Sequence, residues 1–174
     1  MLFRSLPQYL RRQGFNPDAR VLATGTIAAD RATAAALDLP VGAPVVEIVR
    51  VRLADGEPIS YERAHLPAAR FPGLLDHGLG GSLYALLQTE YDVQPGEAEE
   101  HIQIVGAGRD EAKLLEVKRS TPLVAIIRTA WDRDGRPFEH SHDLFRSDRV
   151  RIVVRTPAGE QEARGVASTI EVMA

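Results

Sequence analysis

The chain contains no cysteine, and this absence excludes several kinds of chemistry together. Without thiols there is no disulfide, no cysteine nucleophile and no cysteine-ligated zinc site. The sequence also has no apolar run of the roughly 20 residues that a membrane-spanning helix needs. Its net charge of −3 lacks the cationic excess that a broad nucleic-acid surface requires. We therefore expect these residues to bind neither a membrane nor nucleic acid directly.

The first residues also lack the unbroken apolar core of a signal peptide, because Pro7 and Gln8 interrupt it. This favours a cytoplasmic protein. At 174 residues the chain has the length of one domain. Its 44% hydrophobic and 26% charged residues are ordinary for a globular protein, so composition does not narrow the function further.

The most informative pattern in the sequence is a β-hairpin motif that occurs twice. Each copy has a β-branched apolar run, a turn with Asp-Gly and a second run, in residues 44–66 and again in 122–145. Asp-Gly between two such runs is a strong hairpin signal. The copies are offset by 78 residues before the turn (126 − 48) and by 79 after it (135 − 56), which aligns Arg50 with Arg128. A short helical pattern precedes each hairpin, so the sequence predicts two copies of a helix–hairpin unit.

The remaining segments fit a mainly antiparallel sheet with helices packed on it. The patterns predict strands at 21–27, 97–105 and 149–155, and helices at 5–14, 30–37, 82–90 and 110–116. Strands joined by tight hairpins, with helices interspersed, indicate an α+β fold. The tail after residue 155 is either loose or an added edge strand.

Candidate functional residues follow from the alternation of side chains along the hairpin strands. Arg50 and Arg52 continue a strand face that begins with aliphatic residues. Glu62 of the first return strand occupies the position of Ser141 in the second, where Glu139 shares the same face. Singly, each is most simply a surface charge or hydroxyl. Together they indicate a polar cleft between the repeats, because a buried guanidinium needs a carboxylate or an anionic ligand to offset its desolvation.

A second candidate anion site lies where a helix begins at Gly80-Gly81-Ser82. The free N–H groups of the first helical turn, the helix dipole and the Ser82 hydroxyl all favour a negative group there. Tyr84 adds a phenolic donor two residues later. The simpler interpretation is a helix capped by Ser82 without a ligand, because no P-loop lysine follows the glycines.

His140 and His142 form the H-x-H pattern that some metal sites use. No further ligand follows them at a fitting spacing. The G-x-G at residues 106–108 stands outside any dinucleotide-binding unit. The sequence therefore predicts neither a metal nor a cofactor, and it assigns no catalytic residue.

Three segments carry a resemblance to a known family: residues 50–67 (RVRLADGEPISYERAHLP), 81–87 (GSLYALL) and 138–149 (FEHSHDLFRSDR). They resemble the UTRA domain, the chorismate-lyase-like effector-binding domain of the HutC subfamily of GntR-type transcriptional regulators. The resemblance covers residues 18–155. It implies an antiparallel sheet flanked by helices, a homodimer, and a winged-helix domain that binds operator DNA and lies N-terminal to these residues.

The resemblance also implies an effector pocket. The family's pocket maps onto Arg50, Arg52, Glu62, Ser82, Tyr84 and Glu139, and strand alternation adds Ser141. Many members have tyrosine where this chain has Phe145, which removes one polar contact. Residues 6–8 (Leu-Pro-Gln) also lack the hydroxyls that phosphosugar-binding members use just before the domain.

We therefore predict a sensor domain that binds a small anionic metabolite, such as a phosphosugar, an amino acid or an organic acid. The alternative is a chorismate-lyase-like enzyme that eliminates pyruvate from an aromatic ester, with Arg50 or Arg52 binding a carboxylate and Glu62 or Glu139 in acid–base roles. The regulator-like segments favour the sensor. The expected division is a linker over 1–17, the effector domain over 18–155 and a tail over 156–174.

Overall fold

The computed structural model describes residues 6–155 and 167–173. Its elements in chain order are α1 (Leu6–Arg12), β1 (Pro17–Ala28), α2 (Arg31–Ala36), β2 (Pro44–Ala54), β3 (Glu57–Pro67), α3 (Leu83–Tyr91), β4 (Pro95–Gly106), α4 (Arg109–Leu114), β5 (Pro122–Asp132), β6 (Pro137–Arg146), β7 (Val150–Arg155) and β8 (Ala167–Val172). Two short 3-10 turns, Ala68–Arg70 and Leu74–Asp76, lie between β3 and α3. The predicted helices and strands are present, although β1 begins at Pro17 rather than at Val21. The part of the tail at 156–166 lies outside the described residues.

Strands β1 to β6 form one antiparallel sheet in the order β1-β2-β3-β6-β5-β4. Each repeat supplies one half of this sheet, and the halves meet where β3 pairs with β6. The repeat is larger than the predicted helix–hairpin unit, because β1 and β4 begin 78 residues apart (95 − 17), as do α2 and α4 (109 − 31). The predicted α+β class with an antiparallel sheet and a duplicated unit is confirmed, and each copy gains an outer strand.

Local turn chemistry explains why the offset between the repeats changes. At the β2–β3 turn, Asp55 and Gly56 have φ angles of 51° and 84°, the left-handed pair of a type I′ turn that favours Asp-Gly. The β5–β6 turn is longer and is organised by the buried carboxylate of Asp132. This carboxylate accepts hydrogen bonds from the N–H groups of Asp134 at 3.0 Å and Arg136 at 2.9 Å. The longer turn accounts for the extra residue in the second copy.

The helices α2 and α4 cover one face of the sheet. Val45 of β2 packs with Leu37, which ends α2, and Leu123 of β5 packs with Leu115, which ends α4. These positions are equivalent in the two repeats, so the same apolar contact packs a helix against the sheet in each half. None of the described helices is long and apolar enough to cross a membrane.

The other face carries two apolar clusters, one at each end of the strands. The upper cluster joins the sheet to α3 and includes Val46, Ile48, Leu66, Phe71, Leu74, Leu83 and Leu87. The lower cluster joins the sheet to α1, β7 and β8 and includes Leu10, Ile59, Ile126, Phe145, Val150, Ile170 and Val172. Between them the strand positions are charged or carry hydroxyl groups.

Both ends of the described chain pack on the domain. Strand β8 pairs with β7 in a second, two-stranded sheet that is separate from the large one. Leu10 of α1 and Ile170 of β8 meet in the lower cluster. The strand at 167–172 therefore lies in its own small sheet rather than at an edge of the large sheet. The division into linker, effector domain and tail stays a prediction.

Shortening Ile170 tests whether β8 stabilises the domain. Ile170 is 5% exposed in the lower cluster. Truncating such a side chain to alanine costs about 2–5 kcal/mol, so we expect Ile170→Ala to lower the free energy of unfolding by that order in urea denaturation. Val154→Ala on the partner strand is the control, since Val154 is 55% exposed. It should change the value by about 0.5 kcal/mol or less. Equally small effects of both would contradict the packing.

Candidate functional site

A band of charged and hydroxyl side chains crosses the sheet between the upper and lower clusters. This polar band consists of Arg50 and Arg52 on β2, Ser60 and Glu62 on β3, Arg128 on β5, and Glu139, Ser141 and Asp143 on β6. Side-chain alternation puts them on one face, and the strand registers put them side by side. All but Arg128 are buried. Buried ionisable groups either pair with one another or take up the neutral form, because an isolated buried charge is costly.

Glu62 is the acceptor on which the two arginines of the first repeat converge. Its Oε2 accepts hydrogen bonds from Arg50 Nη2 at 3.0 Å and from Arg52 Nε at 3.1 Å. The Ser60 hydroxyl donates to Glu62 Oε1 at 3.3 Å. Burial acts to raise the pKa of Glu62, but the charges of Arg52 and Arg50 outweigh it, and the pKa lies below its ordinary value. The carboxylate is therefore ionised at neutral pH.

The same arginines hold the loop that precedes α3. Arg50 Nη1 donates to the carbonyl oxygen of Leu79 at 3.0 Å. Arg52 donates from Nη1 to the carbonyl oxygen of Gly80 at 3.1 Å and from Nη2 to that of Gly81 at 3.0 Å. The structure thus places both arginines beside the glycine-led helix, where backbone acceptors already engage them. The Nε of Arg50 is buried without a hydrogen-bond partner among the described residues.

Ser82 and Tyr84 stand at the start of α3. The Ser82 hydroxyl accepts a hydrogen bond from the N–H of Ala85 at 3.1 Å, as a helix cap does. Tyr84 reaches the polar band, where its hydroxyl donates to Glu139 Oε2 at 2.5 Å. Burial and then the Glu139 charge raise the pKa of Tyr84 well above its ordinary value, and burial raises the pKa of Glu139. Tyr84 therefore keeps its proton at neutral pH.

Ser141 and Phe145 lie on the same face of β6 as Glu139, but their surroundings differ. Ser141 is 2% exposed, and its hydroxyl donates to Asp143 Oδ2 at 3.3 Å. Phe145 lies in the lower cluster. The predicted residues therefore come together at the polar band and the start of α3, except that Phe145 closes the lower end of the band with an apolar ring.

Arg128 and Glu100 belong to the site although sequence reasoning did not assign them to it. Arg128 Nε donates to Glu100 Oε1 at 2.8 Å, and each side chain is 14% exposed. Burial acts to lower the pKa of Arg128, but the surrounding acidic groups outweigh it and raise the pKa. The repeat aligns Arg128 with Arg50, and this signal could have identified it. Glu100 on β4 carries no such signal.

Asp143 is a buried carboxyl group of the polar band that has no paired cation among the described residues, and it too was not predicted. It is 7% exposed and stands opposite Glu62 in the β3–β6 pairing. Its one side-chain hydrogen bond within the described residues comes from Ser141, and it forms no ion pair there. Burial and then the Glu62 charge raise the pKa of Asp143 to about 8. At neutral pH it is therefore mainly protonated.

The H-x-H histidines lie on the opposite face of β6 from the polar band. His140 stands opposite His65 on β3, and its Nδ1 lies 3.1 Å from Thr129 Oγ1. His142 is exposed. Among the described residues, no group of three or more histidine or acidic side chains is placed to hold a metal ion. The absence of a metal and of a cofactor stays a prediction.

Comparison with known families settles the relationship of the chain. The family model of the UTRA domain matches residues 12–151, most of the sequence and all of the polar band. The chain belongs to the UTRA domain family. This UTRA domain is 31% identical over 149 residues to the HTH-type transcriptional repressor PhnF of Mycolicibacterium smegmatis, covering 84% of this chain and 60% of PhnF. It is 28% identical over 151 residues to the HTH-type transcriptional regulator YurK of Bacillus subtilis, covering 86% of this chain and 62% of YurK.

The chain therefore spans about three-fifths of the length of these relatives. Its fold is similar to the crystal structure of the effector domain of PhnF from Mycobacterium smegmatis, with a TM-score of 0.79 and 30% identity over 83% of this chain and 90% of that one. It is also similar to the C-terminal domain of YurK from Bacillus subtilis, with a TM-score of 0.69 and 28% identity over 74% and 90% of the two chains. The resemblance to the UTRA domain is confirmed, and the chain is an effector-binding domain of the GntR-type regulators.

Removing the charge of Glu62 while keeping its shape tests the pairing in the polar band. Glu62→Gln leaves Arg50 and Arg52 buried without the carboxylate between them. Breaking a buried pair in this way costs about 3–5 kcal/mol, so the free energy of unfolding at neutral pH should fall by that order in urea denaturation. Glu99→Gln, which removes an exposed contact to His101, should change it by about 0.5 kcal/mol or less. A loss in Glu62→Gln as small as in this control would mean that other groups compensate the arginines.

Proposed function

We propose that this UTRA domain binds a small anionic metabolite at the polar band, and that binding controls operator recognition by a winged-helix domain N-terminal to it. The observation that carries the proposal is the position of two buried guanidinium groups, Arg50 and Arg52, beside the start of α3. The planar guanidinium fork matches the oxygen geometry of carboxylates and phosphates. A phosphosugar, an amino acid or an organic acid would each present such oxygens.

An anion can bind by replacing the carbonyl oxygens of the loop at residues 79–81 as hydrogen-bond acceptors of Arg50 and Arg52. These carbonyl oxygens accept hydrogen bonds from Arg50 and Arg52 at 3.0–3.1 Å. These are neutral acceptors, whereas a carboxylate or phosphate oxygen forms a stronger, charge-assisted hydrogen bond. An anion that replaces the carbonyl oxygens gains both guanidinium groups, and Glu62 keeps its own contacts to them. The N–H groups at the start of α3 favour the same charge.

The acidic side of the polar band suits the rest of the effector. Glu62 and Glu139 accept hydrogen bonds from hydroxyl or amino groups, and the Ser82, Tyr84 and Ser141 hydroxyls complete the polar lining. Phe145 offers an apolar wall where many members of the family have tyrosine. The proposed effector-binding residues are Arg50, Arg52, Glu62, Ser82, Tyr84, Glu139, Ser141 and Phe145.

The effect of binding on the DNA-binding domain would be transmitted through the elements packed on the polar band. The exchange at residues 79–81 moves the start of α3, while α1, the element nearest an N-terminal domain, packs in the lower cluster through Leu10. We propose a homodimer in which the effector selects among arrangements of the two subunits. Such a selection would change the distance between the two winged-helix domains of the dimer. DNA binding would change with it, because a dimer recognises two half-sites only at a fixed spacing.

A chorismate-lyase-like enzyme on the same fold is the alternative function. Fold alone does not separate a binding domain from an enzyme. The relatives are named as transcriptional regulators, so we propose binding rather than catalysis. Release of 4-hydroxybenzoate from chorismate, followed by absorbance, would reverse this choice.

A thermal-shift screen of phosphosugars, amino acids and organic acids tests the proposal. A compound present at about 100 times its dissociation constant should raise the free energy of unfolding by about 2.7 kcal/mol. Arg52→Lys keeps the charge but loses the fork, and Tyr84→Phe removes the hydroxyl that touches Glu139. Each variant should raise the dissociation constant of a stabilising compound about ten-fold or more, because each loses a hydrogen bond to or beside a charged group.

Tyr91→Phe is the matched control for this screen. Tyr91 ends the same helix as Tyr84, but its hydroxyl donates to the carbonyl oxygen of Pro72 at 2.8 Å, away from the polar band. Its removal should leave the dissociation constant unchanged. Compounds that bind Arg52→Lys and Tyr84→Phe as tightly as the wild type would place the effector site elsewhere.

A further inference from the structure

We propose that Asp143 belongs to the effector pocket as a proton-bearing residue: as a neutral acid it donates a hydrogen bond to an acceptor oxygen of the anionic effector, and once ionised it repels that effector. This inference rests on the proposed function, because it names the protonation state in which the same pocket takes an anion. It adds a residue that strand alternation places on the face of Glu139 and Ser141 but that was not assigned to the site from the sequence.

The position of Asp143 in the sheet puts its carboxyl group inside the polar band. On β6 it stands between β3 and β5, opposite Glu62 on one side and Ile126 on the other. Ser141 and Phe145 flank it on the same face of β6, and it is 7% exposed. Water therefore contributes little to the stability of an ionised carboxylate at this position.

The positive charges near Asp143 are already engaged by other acceptors. Arg50 and Arg52 share Glu62 and hold the loop before α3. Arg128 donates through Nε to Glu100 at 2.8 Å. Within the described residues, Asp143 therefore has a hydroxyl neighbour but no paired cation.

Titratable groups face the polar band from every element around Asp143. They are Arg50 and Arg52 on β2, Glu62 on β3, Glu100 on β4, Arg128 on β5, Glu139 on β6 and Tyr84 on α3. The three guanidinium groups equal the three glutamates in number before Asp143 is counted, and the charges of Glu62 and Glu139 both act against ionisation of Asp143. Ionised Asp143 would add an unbalanced buried negative charge, and a carboxyl group in that situation takes up a proton instead. The raised pKa of about 8 agrees with this balance.

A protonated Asp143 favours effectors that present acceptor oxygens. A neutral carboxylic acid offers one O–H donor, which a carboxylate does not have. Arg50 Nε is a further buried donor without a partner among the described residues. Donors of this kind match a carboxylate or a phosphate rather than an ammonium group. Deprotonation of Asp143 removes the donor and places a negative charge beside the effector, so affinity for an anion should fall as pH rises above the pKa.

The first test compares the wild type with Asp143→Asn, which keeps the shape of the acid but cannot ionise. Between the ordinary aspartate pKa of 3.8 and about 8, the folded wild type keeps a proton that the unfolded chain releases, so its stability falls as pH rises. We expect the unfolding equilibrium constant of the wild type, divided by that of Asp143→Asn, to rise about ten-fold per pH unit from about pH 5 to about pH 8. Urea denaturation of the full chain measures both constants.

Asp132→Asn is the matched control, because Asp132 is also buried but is paired with Arg70 and Arg136. Burial acts to raise the pKa of Asp132, but hydrogen bonds from Arg136 and Arg70 outweigh it and lower the pKa. Folded and unfolded forms are then both ionised above about pH 5, so the corresponding ratio should stay constant. A constant ratio for Asp143→Asn would overturn the proposal.

A second measurement needs no variant and decides the matter if Asp143→Asn does not fold. In a carbon-13 titration of the aspartate-labelled wild type, one side-chain carboxyl carbon should titrate near the pKa of about 8. If every aspartate carboxyl group completed its titration below about pH 6, the claim that Asp143 is protonated at neutral pH would be contradicted.

Sulfate, which stays a dianion throughout this pH range, probes the link to binding. In calorimetric titrations at constant ionic strength, the wild type should bind sulfate about ten-fold more weakly at about pH 9 than at about pH 7, and Asp143→Asn should bind it equally at both. Equal affinities of the wild type at the two pH values would overturn the binding role of Asp143. Absence of sulfate binding at both pH values would contradict the anion site of the proposed function. The protonation state of Asp143 is tested separately by the urea denaturation and the carbon-13 titration, which need no ligand.

Discussion

The buried ion triad of Arg50, Arg52 and Glu62 joins parts of the domain that the sheet alone would leave separate. It ties β2 to β3 across the strands, and through carbonyl oxygens it ties both strands to the loop before α3. Because these charges are buried, removing one partner leaves the others uncompensated. The polar band and the loop at residues 79–81 are therefore coupled through the same guanidinium groups.

The polar band lies where the two repeats of the sheet meet, and its chemistry depends on the positions at which the two repeats carry different residues. Arg50 and Arg128 are equivalent in the two repeats, but Arg50 stands opposite Glu62 whereas Arg128 stands opposite Ser141. The first arginine finds its carboxylate on the neighbouring strand of the hairpin. The second finds a hydroxyl there and pairs with the outer strand β4 instead. One half of the band is thus closed by ion pairs, and the other half holds the uncompensated Asp143. The two ends of the polar band therefore differ in chemistry.

Local features of this fold were predictable because each depends on a few neighbouring residues. Asp55-Gly56 forms the expected tight turn, and Ser82 caps α3 as its position before the helix indicated. Alternation along β2 also placed Arg50 and Arg52 on the face where the structure has them. Asp143 was missed for a physical reason: its importance comes from the charges on other strands, and a single aspartate in a strand carries no sign of them. The pairing of β7 with β8 was missed because residues 156–166, which separate the two strands in sequence, carry no pattern that predicts a hairpin.

The helices, the hairpins, their duplication and the face of most hairpin side chains could be derived from the sequence, because side-chain period and turn chemistry act over a few residues; the register shifts in both hairpins are exceptions. The pairing of β3 with β6, the position of α3 over the polar band and the resulting contacts between carboxyl and guanidinium groups could be seen only in the folded molecule. Pairing between the repeats depends on burying both halves of the sheet together. No local pattern encodes that requirement, and the charge balance around Asp143 follows from it.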